Sequence, residues 1–217
     1  MVGLVEELVL LAIEDDGAIA HTAGQTGFGL ALLGACLVEL SSAGRIDADL
    51  QTVSVLSAEP TGRPLLDLVL RELVDGEEPL AIEQWILRLV PMVPDLVRAA
   101  LASLVERGVL AQREARFLWV LKARRYPVKD GHEQREAKLR IMETLLGDNL
   151  PTPHDTALLG LARAGGLLEA FLSPSEIARL EARMEEVGGI DLFVRGVEAA
   201  IREDQTERAR AMMLPMY

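Results

Sequence analysis

The sequence predicts a mainly α protein, a single globular helical domain over 1–217 with a protruding β-hairpin. Three observations carry that prediction. Leucine, alanine and glutamate abound while aromatics make up only 4% of the 217 residues, which favours helices over a β-sandwich. Apolar residues recur at helical spacing in segment after segment, with turn residues between. The stretch 105–128, VERGVLAQREARFLWVLKARRYPV, departs from that pattern. There, two apolar runs, Val109-Leu110 and 117–121, flank a polar segment holding Arg113, Glu114 and Arg116, as in a hairpin.

Taken in order, Leu4, Leu8 and Leu11 with Val5 and Val9 give a first amphipathic helix to about Glu14, ended by Asp15-Asp16-Gly17. The glycine-rich 23–29 reads as a loop and helix start, because it lacks the lysine and spacing of a phosphate-binding loop. Residues 30–41 form a second helix, apolar nearly all round and therefore central. Gly44 ends it, and 45–56 alternates loosely, as a short strand pair. A turn at 60–64 precedes a helix over 65–74, and Pro79 opens another to 90 with Trp85 on its apolar side. Pro91 and Pro94 are read as sharp breaks. The helix 95–107 then feeds the hairpin, with Gly108 just past its end.

After Tyr126-Pro127 comes a charged helix over 133–146, whose alternating signs read as a solvated face. Thr152 with Pro153 starts an apolar helix, and Gly165-Gly166 marks a kink or close approach. Ser173-Pro174-Ser175-Glu176 is a capping box, and a last helix covers 191–212.

The charge is distributed unevenly. Between Arg107 and Lys129 stand seven basic residues and one acid, a balance of +6; with the whole chain at −12, everything outside sums to −18. A cationic hairpin carrying Phe117, Leu118 and Trp119 on an acidic body points to a partner that is anionic and partly apolar. The acidic total argues against general nucleic-acid binding, where attraction to phosphate sets the affinity. Cys36, the one cysteine, sits in an apolar helical run and reads as a buried hydrophobe. The N-terminal stretch has no basic region before its apolar run, so it is not read as a signal peptide, and no run reaches the roughly 20 apolar residues of a spanning helix.

The order of landmarks resembles the Golgi phosphoprotein 3 family, peripheral membrane proteins that recognise phosphatidylinositol 4-phosphate. The matching pieces are Leu4-Val5-Glu6-Glu7; Gly34-Ala35-Cys36-Leu37-Val38-Glu39-Leu40 with Gly44-Arg45-Ile46; Pro60-Thr61-Gly62 with Pro64-Leu65-Leu66-Asp67; Trp85; Leu104-Val105-Glu106-Arg107-Gly108-Val109-Leu110; and 157–172. The resemblance implies a helical domain whose hydrophobic hairpin dips into the membrane beside a basic headgroup pocket, and a chain that self-associates. Its pocket transfers incompletely. The loop 20–27 has no aromatic residue, Leu33 stands where the family has a base, and Arg98 is the sole basic residue over 95–106 of the helix before the hairpin. A monoester phosphate calls for several charge-assisted donors, so this reads as a divergent member.

The expectation is a cytoplasmic, peripherally membrane-associated protein that binds phosphoinositide or another anionic phospholipid, with homo-oligomers as a further partner. Phe117, Leu118 and Trp119 form the apolar anchor; Arg113, Arg116, Lys122, Arg124 and Arg125 the electrostatic one; Arg98 the headgroup contact. The alternative is a winged-helix-like DNA-binding protein, with 95–107 in the major groove and the hairpin on phosphate. Its helix offers Asp95, Arg98, Ser103 and Glu106, a poor set for reading bases. No catalytic role, cofactor or metal is expected. His21, His132 and His154 are far apart, and His154 reads as a capping or surface residue.

Overall fold

The computed structural model describes residues 2–14, 17–19, 26–76, 79–117, 121–129, 131–147 and 149–213, and for Thr26, 113–117, 121–125 and Met213 the backbone only. The helices are α1 (Leu4–Leu11), α2 (Thr26–Ser42), α3 (Pro64–Val74), α4 (Ile82–Leu89), α5 (Val93–Glu106), α6 (His132–Leu146), α7 (Pro153–Ala164), α8 (Pro174–Gly188) and α9 (Leu192–Met213). Two antiparallel pairs interrupt them: β1 (Ile46–Ala48) with β2 (Val53–Val55), and β3 (Arg113–Phe117) with β4 (Leu121–Arg125). The protein is mainly α, as its composition predicts.

The core is built around α2, which packs on α1, α3, α4, α5, α7 and α9. A helix touched on all sides has no polar face to keep, and Leu30, Leu32, Leu33, Leu37 and Leu40 are all buried. The helix begins at Thr26, inside the glycine-rich stretch read as a loop and helix start. Close approach explains those glycines: a Cβ on Gly27 would stand 2.8 Å from the Ala164 carbonyl, and one on Gly29 3.1 Å from Val93. Gly160, Gly188 and Val194 meet at the crossing of α7, α8 and α9, where a Cβ on Gly160 would lie 2.6 Å from Val194.

The local signals hold. Thr152 caps α7 and Ser173 caps α8, each in a reciprocal capping box. Gly44 ends α2 at φ +65°, a conformation cheap only for glycine. Pro91 and Pro94 act differently from expectation. A 3₁₀ turn, Val90–Met92, joins α4 to α5 without an intervening loop, and Pro94 sits in the first turn of α5. Proline lacks only a hydrogen bond that this position never makes.

The first helix differs most from its reading as amphipathic. Every residue from Leu4 to Leu11 is buried, Glu6 at 0% and Glu7 at 3% exposure, because α2, α5, α6 and α7 all pack on α1.

Candidate functional site

The hairpin grows from the end of α5. Arg107 closes the helix, Gly108 turns left-handed at φ +77°, and the amides of Gly108 and Val109 donate back to the carbonyls of Val105 (3.0 Å) and Leu104 (2.9 Å). This double bond to the last turn is the Schellman motif, and it aims the outgoing chain. Val109 and Leu110 drop into the core. A bridge between Leu110 and Val128 then starts the antiparallel pairing, with the Ala111 amide donating to the Pro127 carbonyl at 3.0 Å and the Lys129 amide to the Val109 carbonyl at 3.1 Å.

Beyond this root, β3 and β4 pair in register: Arg113 with Arg125, Glu114 with Arg124, Ala115 with Ala123, Arg116 with Lys122, and Phe117 with Leu121. The polar segment is therefore a strand, where the sequence reading had it flanked by apolar strands. The register set by Leu110–Val128 continues without a slip to Phe117–Leu121. Leu118 and Trp119 lie outside the described residues.

Opposite positions share a face of a ladder and successive positions alternate. One face thus carries positions 113, 115 and 117 with 125, 123 and 121, and passes from an arginine pair through an alanine pair to Phe117 and Leu121. The other carries Glu114 with Arg124 and Arg116 with Lys122. Among the described residues the main packing partner of each strand is the other. Five of the sequence-predicted basic residues are brought together on this pair of strands.

Arg98 is placed elsewhere. It is 69% exposed on α5 and ion-paired with Asp95, one turn earlier on the same helix. Leu33 is fully buried in α2, so the position the resemblance gives to a base belongs to the core. Ser103, counted among the polar residues of α5, points inward and donates to Glu6 at 3.1 Å. What remains for reading DNA is slight.

Around α1 lies an ionic cluster that the sequence reading missed. Glu39 accepts from the Leu4 amide (3.1 Å), satisfying the start of α1, and pairs with Arg63, which also reaches Glu6 at 2.5 Å. The next residue, Glu7, meets Arg140 at 3.2 Å and His154 Nε2 at 2.6 Å. The contact to Glu7 favours the imidazolium, so His154 titrates above its ordinary value even though partial burial opposes this. His154 is therefore a half-buried tie between α7 and α1, and the α6 face read as solvated turns Arg140 inward.

A cleft of about 440 Å³ opens between α1, the hairpin root and α6. Its lining mixes Arg107, His132 and Arg140 with Glu7, Glu133 and Glu136. Charges of both signs make it a poor cradle for phosphate. Among the described residues no group of three or more His, Cys, Asp or Glu is placed to hold a metal ion. Nor, among them, is any helix long and apolar enough to cross a membrane. Burial lifts the Cys36 thiol far above its ordinary pKa, which removes it as a nucleophile.

The family model described as Golgi phosphoprotein 3 (GPP34) matches residues 4–203. The matched span runs from the first residue of α1 into α9, and so includes the ionic cluster, the Schellman turn and both strands of the hairpin. With nearly the whole chain covered, the helical fold and the ordered landmarks have one explanation: the chain belongs to the Golgi phosphoprotein 3 family.

Proposed function

We propose that this chain, acting as one domain over 1–217, is a non-enzymatic peripheral membrane protein that binds phosphoinositide or another anionic phospholipid on the cytoplasmic face. The observation that carries the reading is the hairpin. It places Arg113, Arg116, Lys122, Arg124 and Arg125 on paired strands, with Phe117 and Leu121 at the end where 118–120 connect them. The rest of the chain is strongly acidic, so an anionic surface attracts this end and repels the others.

In the proposed mechanism Phe117, Leu118 and Trp119 enter the interfacial region while the basic residues stay among the headgroups. Each buried large apolar side chain contributes roughly 1.5–3 kcal/mol. Each arginine or lysine near an anionic leaflet adds about 1 kcal/mol, fading within a Debye length of about 10 Å at 0.1 M salt. Attachment is then reversible and salt-sensitive. Arg98, exchanging Asp95 for a phosphate, supplies the headgroup contact. Homo-oligomers add avidity by offering several hairpins to one surface. No observation favours the DNA-binding alternative.

Vesicle flotation tests the reading. The wild-type chain floats with vesicles containing phosphatidylserine or phosphatidylinositol 4-phosphate, is released by salt, and stays behind with phosphatidylcholine alone. A variant with Arg113→Ala, Arg116→Ala and Trp119→Ala loses roughly 4 kcal/mol of attachment, about a thousandfold. If this variant floats as well as wild type, the hairpin is not the anchor.

A further inference from the structure

A two-stranded ribbon in water is marginal by itself, and this one sets Arg113 opposite Arg125 and Arg116 opposite Lys122. Its direction therefore has to come from its root. The Schellman turn and the Leu110–Val128 bridge fix the root along the hairpin's own chain. A third restraint comes from a distant segment. Just past α1 the chain closes a tight turn, with Ile13 bridged to Ile19, the Glu14 amide donating to the Ala18 carbonyl at 2.8 Å, and the Gly17 amide to the Glu14 carbonyl at 2.8 Å. The Tyr126 amide, the first beyond β4, donates to the Gly17 carbonyl at 2.8 Å.

Gly17 has two reasons to be glycine. Its φ of +79° strains any other L-residue, and a Cβ would stand 2.6 Å from the Pro127 nitrogen and 2.8 Å from the Tyr126 carbonyl carbon. Both clashes are with backbone of the hairpin root, which has no flexible end to swing aside. The turn in turn is tied to the body by Gln134, whose side-chain amide donates to the carbonyls of Leu10 (2.8 Å) and Ile13 (3.0 Å). Gln134 lies in the first turns of α6, the helix that follows the hairpin. One side chain thus joins the segments before and after the ribbon.

We infer that the turn around Gly17, held by Gln134, is a clasp that sets the direction in which the hairpin leaves the body, and that Gly17 and Gln134 are positioning residues for membrane attachment. This rests on the proposed function for its consequence at the membrane, but its geometric part stands without it.

Two spin labels test the clasp, one at Ala115→Cys on β3 and one at Glu181→Cys on the exposed side of α8; Cys36, buried, stays unlabelled. The wild-type background gives one narrow distance distribution. Gly17→Ala broadens or shifts it, raises exchange of the Tyr126 amide about tenfold, and weakens flotation with phosphatidylserine vesicles about tenfold, while helical circular dichroism is retained. Gln134→Ala, which adds no clash, repeats the effects more weakly and serves if Gly17→Ala does not fold. Unchanged distances and Tyr126 exchange in both variants overturn the clasp. Altered distances with flotation within twofold of wild type overturn the positioning role. A wild-type chain that never floats instead removes the proposed function and leaves the distances to judge the clasp.

Discussion

Helix α1 and the hairpin use charge in opposite ways. In α1 the two carboxylates lie inside the protein, and each is met by donors from elsewhere: Arg63 and Ser103 for Glu6, Arg140 and His154 for Glu7. In the hairpin the ladder sets like charges opposite one another twice, and Glu114 with Arg124 is its one pair of opposite sign. Directly opposed like charges cost a few tenths to about 1 kcal/mol, which a ribbon selected only for stability avoids. The difference teaches that the α1 charges are paired within the fold, whereas under the proposed function those of the ribbon meet an external anion. Neutralisation by a lipid surface then relieves repulsion in addition to supplying attraction.

The largest effect that sharpens this contrast is on the body. Glu6→Ala leaves Arg63 without its buried partner and lowers unfolding stability by about 3 kcal/mol, read from urea midpoints. Vesicle affinity of the folded fraction stays at the wild-type level. A matching loss of affinity would break the contrast, because charge inside the body would then be shaping the contact surface.

A smaller effect has opposite signs in the two assays. Arg125→Thr removes the charge facing Arg113 and favours the isolated ribbon by ~0.5 kcal/mol, while attachment to anionic vesicles falls about fivefold, near 1 kcal/mol. Amide exchange along β3 and flotation measure the two. Stability and affinity moving in the same direction would contradict the account.

Smallest is the pH dependence of the tie between α7 and α1. The folded-state pKa of His154 is raised above its ordinary 6.5, so its contribution is complete below that pH and is lost as pH rises through the raised value. The melting temperature of wild type therefore exceeds that of His154→Gln most below pH 6.5, and the gap narrows above it. Parallel pH profiles would show that the imidazolium adds nothing to the tie.

These contrasts also explain what was legible in the sequence. The capping boxes at Thr152 and Ser173 and the turn at Gly108 are completed within a few residues, so their letters suffice. The burial of α1 is not written locally. Periodicity assigns Glu6 and Glu7 to a polar face, and the partners that make their burial tolerable lie 57 residues away at Arg63, 133 at Arg140 and 147 at His154. The inward turn of Arg140 and Gln134 was hidden for the same reason, since alternating charge on α6 looks identical whether or not a neighbour approaches.

At the candidate site the composition of the ribbon was legible and its register was not. The apolar run 117–121 has strand propensity, so it reads as a strand until the Leu110–Val128 pairing is known. Once the root is fixed, Phe117 and Leu121 pair at the far end of the ladder. The lining of a 4-phosphate pocket was the part of the family pattern that transferred least: Leu33 is core, and Arg98 is exposed on α5 and paired with Asp95.

The central claim is that Trp119 is the membrane-facing tryptophan, while Trp85, only 2% exposed, stays in the protein core. Brominated phospholipids quench indole emission only on contact with the acyl region, so vesicles carrying them report directly on that claim. The account predicts that quenching appears with phosphatidylserine vesicles, is reversed by salt, and vanishes in Trp119→Phe. Protein that floats with those vesicles while its emission is unquenched would contradict it.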